Sequence, residues 1–278
     1  MNLRIEYSKW KNEHQSILKT LINKKTIVTF SGGKDSSVTL FLIEKASKEF
    51  GFNFEIHAAL FPQKVFGDTT KINIEQFWQS RGININWHEI QESDNVLQDV
   101  ISHNIDPCLM CGQIKKQAMV QYVKESIKDF STLVIVMGYS LWDLVSSTIE
   151  HILNAYYSNP EYSNKITKKD YNERFIETSQ RFYPFIKLKE GLSIFKPLIY
   201  YNDQEIMNFV TEKNIPVCTM QCKYHDFRPK RAFAKYYQKV DLHFDYHKVL
   251  QFAENYLNLP NISFFEEIDM KEYLHKVI

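Results

Sequence analysis

A chain of 278 residues with 34 Lys+Arg against 33 Asp+Glu has a net charge of +1, so a nucleic-acid partner would need a local basic patch. With 44% hydrophobic and 24% charged residues, global disorder is excluded, and the length suits one large domain with a smaller appendage. Residues 1 to 25 lack the apolar segment of a secretory signal, and the longest apolar runs, such as Leu133 to Met137, are far shorter than a membrane span; the expectation is a cytoplasmic protein without a membrane partner.

Residues 1 to 24 read as a helical segment, with Trp10, Ile17, Leu18 and Leu21 at helical spacing. Thr26 to Phe30 is a β-branched run ended by two glycines, hence a buried strand and a turn. A helix follows over Asp35 to Phe50, with Val38, Leu40, Leu42 and Ile43 as apolar positions. Phe54 to Phe61 is a second strand stopped by Pro62, Thr70 to Arg81 a second helix, and Ile83 to Ile90 a third strand. Gln113 to Asp129 reads as a helix, Leu133 to Gly138 as a fourth strand and Trp142 to Tyr157 as another helix. Strands alternating with helices imply parallel crossovers and a doubly wound α/β sheet.

Residues 158 to 190 break this rhythm, being polar and charged, and read as an excursion. Regularity returns at Leu192 to Phe195, and Asp203 to Lys213 reads as a helix capped by Asn202 or Asp203. Residues 227 to 278 read as a helical appendage, so the boundaries expected are 1–24, 25–226 and 227–278.

The turn Ser31-Gly32-Gly33-Lys34-Asp35-Ser36-Ser37 has the chemistry of a phosphate cradle. The glycines let backbone N–H groups approach an anion, and the following helix aims its positive end at the same point. Ser31, Ser36 and Ser37 can donate hydroxyls, Lys34 adds charge, and Asp35 could position a magnesium ion. The spacing is neither that of a Walker loop nor that of a dinucleotide fingerprint.

Pro107-Cys108-Leu109-Met110-Cys111 contains a Cys-x-x-Cys, while Cys218 and Cys222 lie far downstream. Three roles fit the thiols: four zinc ligands, a dithiol redox pair, or three ligands to an iron–sulfur cluster that keeps one iron open. Two basic segments could meet RNA phosphates. Lys223 to Tyr237 interleaves cations such as Arg228, Lys230 and Arg231 with rings, and Lys165, Lys168 and Lys169 stand in the excursion. The 20 Phe and 16 Tyr suit an aromatic-rich core or ring faces that stack on bases.

Ser31-Gly32-Gly33-Lys34-Asp35-Ser36, following a first strand, resembles the signature of the PP-loop ATP pyrophosphatase superfamily. The resemblance implies a mainly parallel five-stranded sheet and cleavage of ATP to AMP and pyrophosphate, with adenylation of a carbonyl oxygen. It also implies roles for Lys34, Asp35 and Asp143 in catalysis, and for Leu60 and Gly138 beside the loop residues in holding the nucleotide. Pro107-Cys108-x-x-Cys111 is similar to the branch of tRNA 2-thiocytidine and 2-thiouridine synthetases, which bind a [4Fe–4S] cluster. On that likeness Cys108, Cys111 and Cys222 are the metal ligands, with Cys218 as the alternative third, and zinc as the alternative metal. The implied partners are tRNA and a sulfur donor protein or sulfide, and a homodimer is compatible with them. Where the family has Gly-His-x-x-Asp-Asp, this chain has Gly138-Tyr139-Ser140-Leu141-Trp142-Asp143, so only Gly138 and Asp143 carry over. Phe195-Lys196-Pro197-Leu198 resembles the family's Arg-Pro-Leu segment. The resemblance spans about residues 24 to 232. Two rivals stand beside it: a PP-loop sulfur-transfer or reductase-like enzyme acting on a small molecule or DNA, and a non-catalytic ATP- or metal-binding module.

Overall fold

A computed structural model describes residues 4–62, 67–103, 106–153, 171–218, 222–224, 229–270 and 273–274. The chain opens with α1 (Tyr7–Thr20), β1 (Lys25–Phe30), α2 (Lys34–Phe50), β2 (Phe54–Leu60), α3 (Asp68–Gln79) and β3 (Ile85–Glu89). It continues with α4 (Val96–Ser102), α5 (Pro107–Ser126), β4 (Leu133–Val136), α6 (Leu141–Ile152), α7 (Tyr171–Ser179), β5 (Phe185–Lys187) and β6 (Ser193–Phe195). α8 (Asp203–Glu212), α9 (Pro229–Lys239) and α10 (Tyr246–Tyr256) follow.

The strands form one sheet in the order β3-β2-β1-β4-β6-β5. Five run parallel, as expected, but the sheet has a sixth strand. β5 pairs antiparallel with β6, with Phe185 opposite Phe195 and Lys187 opposite Ser193. It lies inside the stretch read from sequence as an excursion. Three residues are too few to display a period of two, so the pattern could not announce it. The same stretch holds α7, and α5 begins at Pro107, well ahead of the expected Gln113.

Both faces of the sheet are covered, which is why β4 reads as an unbroken apolar run. Successive residues go to opposite sides. Val28, Phe30, Val134 and Val136 pack with Trp10, Leu18, Val38, Leu42, Trp78, Ile206 and Phe209. Ile27, Leu133, Ile135 and Ile194 pack with Val123, Ile127, Phe265 and Tyr273.

The terminal helices are fastened by buried polar contacts. In α1, Trp10 Nε1 donates to the Pro197 carbonyl at 2.8 Å, and His14 Nε2 reaches the same oxygen at 3.1 Å. Burial pushes the His14 pKa down to about 4 against the opposing pull of that carbonyl, so the imidazole is neutral at pH 7. Near the other end, Asn202 Oδ1 accepts from Trp142 Nε1 at 3.0 Å and from Phe244 N at 2.9 Å. Its Nδ2 donates to Phe244 O at 3.0 Å, tying the α9–α10 connection to α6 and α8.

Candidate active site

Strand order reverses between β1 and β4, so the crevice at their carboxyl ends is where an open α/β sheet receives ligands. The three sequence-predicted glycines stand there, Gly33 as the residue just ahead of α2. Gly32 has φ +70°, a left-handed conformation that turns the chain out of β1. Gly138 follows β4 and lies against the first turn of α2; a Cβ there would sit 2.8 Å from Ser36 N and 2.9 Å from Asp35 C. Any side chain would push the two loops apart.

The loop is braced from within. Ser36 Oγ accepts from Ser31 N at 3.2 Å, donates to Gly33 O at 3.0 Å and lies 3.0 Å from Ser31 Oγ. Ser37 N donates to Gly33 O at 3.0 Å, and the Ser37 side chain is fully buried. These two serines therefore shape the cradle, and the backbone N–H groups at the α2 terminus are left to face an anion. Leu60 ends β2 two residues past the last β1 pair, Phe30 with Ala58, at the same edge of the sheet.

Lys34 is held between two carboxylates. Its ammonium lies 2.7 Å from Asp35 Oδ1 and also pairs with Asp203 Oδ1. Burial works to lower the lysine's pKa, but Asp35 and Asp203 outweigh it and the charged form persists above the ordinary range. Burial raises the Asp203 pKa, Lys34 opposes that shift and Asp35 reinforces it. Sequence reasoning read Asp203 only as a helix cap. Glu205 takes the Asn202 N–H at 2.8 Å at that terminus, while Asp203 turns to Lys34. An acidic residue at a helix start gives no sequence signal that separates the two roles.

Asp143 stands in the first turn of α6. Its Oδ2 accepts from Ser140 N at 3.0 Å, and Ser140 Oγ accepts from Asp143 N at 3.2 Å, a reciprocal capping box. Its Oδ1 pairs with the ammonium of Lys230 from α9. The sequence assigned Lys230 to RNA, but here its charged end points to Asp143. Lys165, Lys168, Lys169 and Arg228 lie outside the described residues. Lys196, of the Phe-Lys-Pro-Leu segment, is buried and donates to Gln180 O at 2.7 Å. Burial, aided by the Arg181 charge, pushes its pKa down to about 7.

Cys108 and Cys111 occupy the head of α5, where Pro107 is the first helical residue and Asp106 caps Cys108 N at 2.7 Å. Three residues apart on a helix, they share a face. Both pack with Cys222, Tyr224, Phe61 and Ile90 in one apolar cluster, and Cys108 Sγ donates to Tyr224 O at 3.3 Å. Cys218 packs elsewhere, with Val217 against the large core cluster that takes in residues of α1, α2, β1 and α8. Its backbone N donates to Gly32 O at 2.7 Å, joining the thiol-bearing segment to the phosphate loop. Among the described residues, no three His, Cys, Asp or Glu side chains are gathered at metal-ligating distance. The donor set and its apolar surround nevertheless suit a thiolate-bound centre. No described helix is long and apolar enough to cross a membrane.

No known family and no curated protein matches this sequence. Among solved structures, the chain is similar to the U34-tRNA thiolase NcsA from Methanococcus maripaludis with its [4Fe-4S] cluster, with a TM-score of 0.61 at 15% identity. The alignment covers 92% of this chain and 82% of that one. The chain has the PP-loop fold. The likeness first read from Ser31 to Ser36 is thus borne out at the level of fold, with the sheet enlarged by β5.

Proposed function

We propose that this protein is an ATP-dependent sulfur transferase acting on tRNA. It adenylates the 2-carbonyl oxygen of a pyrimidine, releasing pyrophosphate, and then replaces that oxygen by sulfur. The observation that carries this reading is that the loop after β1 and the thiol cluster at the ends of β2 and β3 share the carboxyl edge of the sheet, with Cys218, four residues before the cluster's Cys222, bonded through its N–H to Gly32 O. The similarity in fold to a tRNA thiolase supports it.

In the first step the pyrimidine oxygen attacks the α-phosphorus of ATP, an O–P bond forms, and the bond to the pyrophosphate oxygen breaks. The backbone N–H groups at the head of α2 and the Lys34 ammonium stabilise charge on the departing phosphates. Asp35 would hold a magnesium ion against them. The open end of β2 at Leu60 offers main chain to the adenine. In the second step sulfide adds to the activated carbon and AMP leaves with the former carbonyl oxygen. Cys108, Cys111 and Cys222 would hold a [4Fe–4S] cluster with one iron open, and that cluster would supply the sulfide. On the outer side of α9, Arg231, Lys235 and Lys239 recur every four residues and are all exposed, a stripe suited to RNA phosphates.

The test is to incubate anaerobic protein, loaded with iron and sulfide, with ATP and tRNA, and to digest the RNA for mass spectrometry. A thiolated pyrimidine together with AMP and pyrophosphate is expected. Pyrophosphate without any thiolated nucleoside would move the acceptor to a small molecule or DNA, the reading favoured by the altered Tyr139-to-Asp143 segment. No pyrophosphate would leave a nucleotide- or metal-binding module. Stoichiometric zinc in colourless protein would replace the cluster by zinc.

A further inference from the structure

The two sides of α9 do different things. Lys230, Phe233, Ala234 and Tyr237 stand at i, i+3, i+4 and i+7 and so share one face. Tyr237 is 2% exposed; its ring meets the Trp142 ring edge-on at 5.3 Å, and the Phe244 ring at 4.9 Å. This contact seats α9 on α6. About 10 Å up the axis, at the helical rise of about 1.5 Å per residue, the same face delivers Lys230 to Asp143. Its other charged neighbours are Asp35 and Lys34 of α2 and Arg231 of α9. Lys34 is in turn shared with Asp203 of α8. Lys230 therefore joins the charges around the phosphate loop, although it belongs to the C-terminal segment.

Two lysines drawn toward one crevice repel each other, and among the described residues Asp35, Asp143 and Asp203 offset the repulsion. A polyphosphate entering over the α2 terminus carries more negative charge than any one of those carboxylates. We infer that Lys230 is a ligand of the pyrophosphate half of ATP, exchanging Asp143 for phosphate oxygens when the nucleotide binds. This rests on the reading that Ser31 to Ser37 receive ATP. The C-terminal segment thereby contributes a binding residue to the site, with Tyr237 as the anchor that fixes its reach.

The inference is tested by equilibrium binding of Mg–ATP and of AMP to the full-length protein at fixed ionic strength. Lys230→Ala is expected to weaken ATP about tenfold or more, the scale of one lost charge-assisted contact, and to leave AMP within about twofold. Lys230→Met keeps the aliphatic stem should the alanine variant fold poorly, and the same loss is expected from it. Lys230→Arg should recover most of the affinity, and Lys248→Ala, an exposed lysine of α10 with no part in the site, should change neither ligand. Unchanged ATP affinity in both the Ala and Met variants overturns the inference while leaving the nucleotide site intact. A loss confined to tRNA binding overturns it too and returns Lys230 to the RNA surface. Wild-type protein that binds neither ATP nor AMP would instead sink the nucleotide reading on which the inference stands.

Discussion

Ser31 to Ser37 closes on itself: the Ser36 hydroxyl bonds Ser31 and Gly33, and Ser37 N bonds Gly33 O, all within seven successive residues. The thiol-bearing edge is assembled differently. It draws Cys108 from the head of α5 to Tyr224, 116 residues further along the chain, and the apolar cluster there spans the ends of β2 and β3. One region is specified by local chemistry, the other by where the topology brings distant segments. A close-range motif is shaped by its own neighbours, while a long-range site can be read from sequence only as a set of residue types.

The largest expected effect tests whether the two cysteines that follow α8 really belong to different regions. Cys222→Ser should strip the iron from anaerobically reconstituted protein, about four atoms per chain if a cubane forms, and abolish thiolation. Cys218→Ser, whose side chain packs against the other core cluster, should keep iron and colour. Iron lost from the Cys218 variant and retained in the Cys222 variant would merge the thiol site with the loop and break the distinction. Gly138→Ala comes next. Its Cβ would meet backbone atoms at 2.8 to 2.9 Å, so the first turn of α2 must move. Pyrophosphate release should fall about 100-fold, as a displacement of about 1 Å can cause, while iron content stays unchanged. Equal loss of iron would mean that the two regions are one mechanical unit.

The smallest effect concerns Lys196, at the carboxyl end of β6. Its folded pKa of about 7 lies below the ordinary 10.5 because burial disfavours the charge. Below pH 7 the amine is charged in both states and the burial cost is fully present. Between pH 7 and 10.5 the unfolded chain holds more protons, so stability contributed at this position rises with pH. Lys196→Met should accordingly raise Tm at pH 6 by about 2–4 °C, the equivalent of about 1 kcal/mol, with the gain shrinking toward pH 10. A gain that is constant with pH, or a loss at pH 6, would show that Lys196 is compensated where it lies.

The same contrast governs what could be read in advance. Strands such as β4 announced themselves because burial on both faces writes apolar runs like Leu133 to Val136, and the edge strand β3 by its alternation of Ile and Asn. β5 did not, since three residues in a polar stretch carry no period. The turn after β1 is built by glycines and serines acting on their own neighbours, and the hydroxyls of Ser36 and Ser37, expected to face an anion, are turned into it. Asp203 and Lys230 were visible as residue types, yet their partners Lys34 and Asp143 are fixed by packing of α8 and α9, which a linear pattern does not encode. The choice of Cys222 beside Cys108 rested on family likeness in the sequence; in the fold its support is a shared apolar cluster.

The bond from Cys218 N to Gly32 O bears on how the molecule is made. During synthesis the phosphate loop emerges early, but the amide that fixes its Gly32 carbonyl is added almost 190 residues later. α1 waits in the same way, because its Trp10 and His14 both dock on Pro197 O, 187 and 183 residues downstream. A ribosome-bound chain released before residue 218 would therefore carry every residue of the loop and its internal bonds, and lack the tie from Cys218 N to Gly32 O. Limited proteolysis of chains stalled just before and after that point would see the change directly.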